Sequence, residues 1–253
     1  MRLIVCGLLL AATVAASCGG AQPEGPEPPD AVPEGAVLIV GNSLTASNDL
    51  PGLIEGLSAA AGDERPVSTW AVTSAGYSLE DHWHASSARA TVERGGWALV
   101  VLQQGPSSLP ESQMHLATWT ETWTELIREH GAEPALYMVW PSEQRSFAFD
   151  AVSESYRNAA QAVDGHLFPV GEAWRAAWRR EPDLPLYGPD GFHPSITGSY
   201  LAAIVIYAQV SGRSPVGLPH EFERPGGGSV SIDEDRATLL QEAAAEAIEA
   251  FGR

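Results

Sequence analysis

Lysine is absent from this chain. All 14 basic residues are arginines, set against 32 aspartates and glutamates, for a formal net charge of −18. Such acidity argues against a nucleic acid or an anionic membrane surface as partner. It describes a solvated surface and carries no chemistry of its own. Cysteine is nearly absent too, with only Cys6 and Cys18. Both fall at the amino terminus, where Arg2, the apolar stretch 3–14 and the small residues Ala15-Ala16-Ser17 read as a secretory signal over residues 1–17. The signal's apolar part is too short for a spanning helix. Once the signal is cleaved, Cys18 stands alone and no internal disulfide is possible.

Small residues directly before Cys18 resemble the lipobox of bacterial lipoproteins, although Ala15 stands where a leucine is usual. The resemblance implies a lipid on Cys18 and an exported protein held to a membrane of the bacterial envelope. Cleavage near the same point without a lipid, giving a secreted protein, is the alternative. Residues 18–35 are rich in Pro, Gly and Glu, cannot bury a core and read as a tether. The folded domain is expected over 36–253. A hydrophobic share of 44% in 253 residues suits one α/β domain, and no internal repeat or second domain is visible.

Within that domain short apolar runs alternate with helical patterns. Val37–Val40 reads as a strand buried on both faces, followed by a turn and by Leu50, Leu53, Ile54 and Leu57 at helical spacing. Further strands are expected at 66–72, 97–102 (central, because almost wholly apolar), 135–140 and 166–170, the last pushed to an edge by Pro169. Helices are expected from about Leu79, from Pro110 to a cap at Gly131, around Tyr156, at Trp174 and Trp178, over 196–210, and from a cap at Asp233. Residues 211–231 read as a Pro/Gly-rich loop. The alternation predicts a mostly parallel five-stranded sheet with helices on both faces and right-handed crossovers.

Gly41-Asn42-Ser43 closes the first strand and puts a hydroxyl at the carboxyl edge, where open α/β sheets bind ligands. Alone it reads more readily as an ordinary turn. A serine becomes a nucleophile when a base reaches it. Pro189-Asp190-Gly191-Phe192-His193-Pro194 supplies one: His193 sits in a Gly/Pro-rich loop, and Asp190, three residues earlier, can fold back onto one imidazole nitrogen. The bland reading is a tight Pro-Asp-Gly turn with a chance histidine. His82 and His84 suggest a metal pair, but residues two apart on a helix do not share a face, and no third ligand is evident.

Together, Gly41-Asn42-Ser43-Leu44, an isolated Gly76 after the second strand, a polar block after the third, and Asp190-Gly191-Phe192-His193-Pro194 resemble the SGNH (GDSL-like) hydrolases. The resemblance spans Ala36 to about Pro219. It implies a three-layer α/β/α, flavodoxin-like fold and ester hydrolysis through Ser43, His193 and Asp190, with an oxyanion hole from the N–H groups of Ser43 and Gly76 and an amide side chain of the third block. The chain departs from that pattern twice. Asn42 replaces the usual Asp, and Ser107 stands where the Asn of the third block belongs. Gln104-Gly105 instead resembles the block of sialate-O-acetylesterase-like carbohydrate esterases, implying Gln104 as the third donor, with Gln103 second. Tyr77, Trp140 and Phe192 are candidates to line a sugar-sized pocket, or are simple packing.

The expectation is therefore a serine esterase removing a small acyl group, such as acetyl, from a carbohydrate or related extracellular ester, with no metal or cofactor required. Two rivals stand beside it. One is an acyltransferase on the same residues; the other is a lipid-anchored binding protein that has kept the fold and lost catalysis.

Overall fold

The computed structural model describes residues 31–252. Cys6, Cys18, the signal and the tether as far as residue 30 lie outside the described residues. Five strands form one wholly parallel sheet: β1 (Val37–Gly41), β2 (Thr69–Thr73), β3 (Leu99–Leu102), β4 (Glu133–Tyr137) and β5 (His166–Phe168). Their order is β2-β1-β3-β4-β5. β3 lies at the centre and β5 at an edge, as the apolar content of one and Pro169 after the other lead one to expect. Leu38, Ile39, Val40, Val100 and Val101 have no exposed surface, because helices cover both faces. Each such side chain contributes about 1.5–3 kcal/mol by leaving water.

One covering layer holds α2 (Leu50–Ala60), α7 (Val170–Arg180), α8 (Ile196–Ser211) and α9 (Glu234–Phe251), with α2 packed on α8 and α7, α8 and α9 packed on one another. The other holds α3 (Leu79–Ala85), α4 (Ala88–Glu93), α5 (Pro110–Glu129) and α6 (Phe149–Ala162), gathered around α5. This is the three-layer α/β/α arrangement. Between β1 and β3 the connection changes direction, since β2 was added on one side and β3 on the other. A crevice opens outside the carboxyl ends of two such strands, and Ser43 and Gln104 directly follow them.

Three local features differ from expectation. The segment after Ser78 forms two helices, because Ser86 is extended (φ −132, ψ 176) and its hydroxyl accepts from the Ala88 N–H. A 3₁₀ helix runs over Glu143–Ala148. The supposed loop before Ser231 contains an antiparallel hairpin, β6 (Glu221–Glu223) and β7 (Ser229–Ser231). Its period-two signal is short: only Phe222 and Val230 turn inward, and Gly227 and Gly228 carry the turn at φ 95 and 85.

Candidate active site

The nucleophile candidate sits on a one-turn helix, α1 (Ser43–Ala46), started by Asn42 as N-cap. The Asn42 Oδ1 accepts from the Leu44 N–H at 3.1 Å, and its Nδ2 donates to the Tyr77 carbonyl at 3.1 Å. That second bond gives the departure from Asp a physical reason, since a carboxylate at residue 42 has no hydrogen to offer the Tyr77 carbonyl. The first residues of a helix have N–H groups without intrahelical acceptors. Among the described residues the N–H of Ser43 has no partner, nor does that of Gly76, which sits at φ 74 in the turn after β2. The β1–β2 register pairs Gly41 with Thr73, so both donors lie at the same end of the sheet.

Gln103 fixes this turn to the end of β3. Its Oε1 accepts from the Asn42 N–H (2.9 Å) and the Thr45 hydroxyl (2.8 Å). Its Nε2 donates to Asn42 Oδ1 (3.0 Å) and to the Gln104 carbonyl (2.7 Å). All four bonding positions of the amide are filled and the residue has no exposed surface. Gln103 is thus a buried brace, which corrects the expectation that it contacts substrate or serves as a spare oxyanion donor. The brace also explains Gly41, where a Cβ would meet Gln103 Oε1 at 2.5 Å.

Gln104 is held differently. Its Oε1 accepts from the Leu79 N–H at 3.2 Å and its Nε2 donates to the Ser107 hydroxyl at 2.9 Å, which leaves one amide hydrogen unassigned. Below it the Tyr156 hydroxyl lies 2.7 Å from the Gln104 carbonyl and 3.0 Å from that of Gly105. Burial pushes the Tyr156 pKa up, so the phenol stays a neutral donor. His82, one of the supposed metal pair, is fully buried and its Nε2 donates to the Gly41 carbonyl at 2.8 Å. Burial lowers its pKa, in keeping with a neutral ring.

The histidine loop meets Ser43 from the other end of the chain. His193 Nε2 lies 2.9 Å from Ser43 Oγ, and His193 Nδ1 lies 2.5 Å from Asp190 Oδ2. Asp190 Oδ1 also accepts from the N–H groups of Phe192 (3.0 Å) and His193 (2.9 Å), in a turn made possible by Gly191 at φ 67. The hydrogen bond from His193 first, then the backbone donors, lower the Asp190 pKa to about 2. The carboxylate therefore stays ionised, Nδ1 keeps its proton, and Nε2 is free to accept from the Ser43 hydroxyl. The pair is open to water, with 38% of the His193 side chain and 52% of the Asp190 side chain exposed.

Two supports of this loop carry no sequence signal of their own. Asn48, in the left-handed region at φ 54, donates from Nδ2 to the Pro194 carbonyl and to Ser199 Oγ, both at 2.9 Å. It straps the segment after Ser43 to the residue after His193. Trp140 has no exposed surface; it stacks on Trp174 with centroids 3.7 Å apart and donates to the Phe192 carbonyl at 3.0 Å. This corrects its reading as a pocket residue, because an indole with no exposed surface meets no ligand. Phe192 and Tyr77 are half-buried; the Tyr77 ring packs edge-on against His82.

No family model matches this sequence, and no curated protein is similar to it. Solved structures do share the fold. A candidate SGNH hydrolase from Slackia heliotrinireducens superposes with a TM-score of 0.59 at 24% identity, over 69% of this chain and 98% of its own. A DUF4886 family protein from Bacteroides uniformis gives 0.65 at 19%, over 85% and 94%. The psychrotrophic esterase EstA from Pseudoalteromonas sp., in a structure inhibited by monoethylphosphonate, gives 0.51 at 16%, over 71% and 98%. The chain has the three-layer α/β fold seen in SGNH-like hydrolases.

Proposed function

We propose that this protein is a serine ester hydrolase acting on small acyl esters, acetyl first among them, of a carbohydrate or similar extracellular substrate. The observation that carries the reading is the unbroken hydrogen-bonded series Ser43 Oγ, His193, Asp190. In this mechanism Ser43 attacks the ester carbonyl as His193 Nε2 takes its proton. The oxyanion is met by the N–H groups of Ser43 and Gly76 and by the remaining Gln104 amide hydrogen. His193 then protonates the departing alcohol, and water releases the acyl group from Ser43 by the same steps in reverse. Asp190 holds the imidazole in the working tautomer throughout. The esterase and hydrolase names of the structural relatives agree with this chemistry.

A pH–rate profile tests it. The depressed Asp190 pKa means that its carboxylate keeps its charge, and its hold on His193, until the pH falls through about 2. The acid limb of kcat/KM therefore comes from protonation of the imidazole, and activity falls as the pH is lowered. Histidine bases have lost their free form well before about pH 4, so a rate unchanged down to that pH removes His193 as the base.

The proposal extends to the envelope, with a lipid on Cys18 tethering the domain. No helix among the described residues is long and apolar enough to cross a membrane. Mass spectrometry of the mature amino terminus should find an acylated Cys18; an unmodified one leaves a secreted enzyme.

A further inference from the structure

Beside the histidine loop, between the turn after β3 and the 3₁₀ helix of residues 143–148, lies a groove of about 430 Å³. Phe192 forms one wall, its ring set edge-on to the His193 imidazole with centroids 5.3 Å apart. Ser107, which accepts from the Gln104 amide, forms another. The groove thus adjoins both the base and the amide donor of the proposed site. We propose that it receives a negatively charged group of the substrate, a carboxylate or sulfate, on the Arg145 guanidinium; this rests on the esterase reading.

Arg145 is the only charged side chain lining the groove; the rest of the lining is serine, proline, Leu109 and Phe192. In a chain with 32 acids and 14 bases, arginines are readily claimed. Most of the described ones pair with a carboxylate, among them Arg89, Arg175, Arg180 and Arg213. Arg145 has no carboxylate at ion-pair distance among the described residues. Its single side-chain hydrogen bond there is long, from Nη2 to Ser108 Oγ at 3.3 Å. That leaves most of its five donors in a fork suited to a planar acid. Its backbone N–H, bonded to the Ser142 carbonyl at 2.8 Å, fixes its place on the wall.

The electrostatic setting makes the site selective. A net charge of −18 repels anions over most of the surface, and here a cation faces a groove whose other lining residues carry no charge. The volume lies near the small end of ligand pockets, typically about 300–1,000 Å³. It suits one sugar or aryl ring. Hydroxyls of Ser108 and Ser142 and the face of Phe192 suit the body of such a ring.

The experiment compares p-acetoxybenzoate and p-acetoxybenzenesulfonate with neutral phenyl acetate, in the parent and in Arg145→Gln and Arg145→Lys. The expected result is a kcat/KM ratio of charged to neutral ester that falls about tenfold in Arg145→Gln, as loss of a charge-assisted hydrogen bond implies. The change should sit in KM and be partly restored in Arg145→Lys, which keeps the charge without the fork. Preference between the two anions tells carboxylate from sulfate-like substrates. An unchanged ratio overturns the proposal. Calorimetric titration of Ser43→Ala with p-acetoxybenzoate gives an answer without turnover: binding weakened by Arg145→Gln on that background supports the anion site, and no binding refutes it. Should Ser43→Ala hydrolyse phenyl acetate at the parental rate, the esterase reading falls instead, and the titration still judges the groove.

Discussion

Ser43→Ala lowers the hydrolysis of p-nitrophenyl acetate by about 10⁴-fold or more, the loss seen when one member of such a cooperating set is removed. The size of the effect follows from geometry. The Ser43 Oγ has one side-chain hydrogen bond in the site, to His193 at 2.9 Å, and the residue is only half-buried. Its removal leaves no cavity and no buried orphan, so the variant keeps the parental unfolding midpoint. Labelling by a fluorophosphonate probe disappears together with the activity. The parent should also prefer acetate over octanoate esters. A variant that hydrolyses at the parental rate rules out Ser43 as nucleophile, and parental protein that resists the probe favours a binding protein on the same fold.

Gln103→Leu is expected to cost about 3 kcal/mol of stability, because it strands two buried polar groups at once. The Asn42 N–H and the Thr45 hydroxyl lose their partner, while Asn42 Oδ1 and the Gln104 carbonyl each lose one of two donors and keep the Leu44 N–H and the Tyr156 hydroxyl. The same change frees the turn that aims Ser43, and a misplacement of about 1 Å is enough for a loss of about 10²-fold in kcat. Urea titration and steady-state kinetics read the two effects separately. Gln103→Glu sets a carboxylate oxygen against the Asn42 Oδ1 and Gln104 carbonyl acceptors in a site without exposed surface, so it should be no more stable than the Leu variant. Parental stability and kcat in Gln103→Leu would show that the brace carries no load.

The sheet was legible because β1 and β3 at its centre are nearly unbroken apolar runs, and a strand covered on both faces needs nothing else. Ser43, Asp190 and His193 were legible for a related reason. They lie in short polar turns at strand ends or in a Gly/Pro loop, where local spacing alone brings Asp190 onto His193. What sequence reasoning missed depends on the third dimension. Asn48 reads as one more turn residue, and only the packing of α8 reveals that its amide spans 146 residues to Pro194. Gln103 and Gln104 are adjacent and chemically identical, but alternate residues at a strand end face opposite ways. One is swallowed by the Asn42 turn and the other turned toward Leu79 and Ser107. Trp140 was misread because a strand end can point inward as easily as outward. The β6–β7 hairpin was missed because three-residue strands leave too little alternation to see.

Ser43 comes almost first in the domain and His193 lies 150 residues later, after every strand of the sheet has been laid down. Closing so long a loop carries its entropy cost before any contact repays it. A product clipped before the histidine loop therefore loses more than the partner of Ser43: α8 and α9 go with it, and one face of the sheet is left largely uncovered.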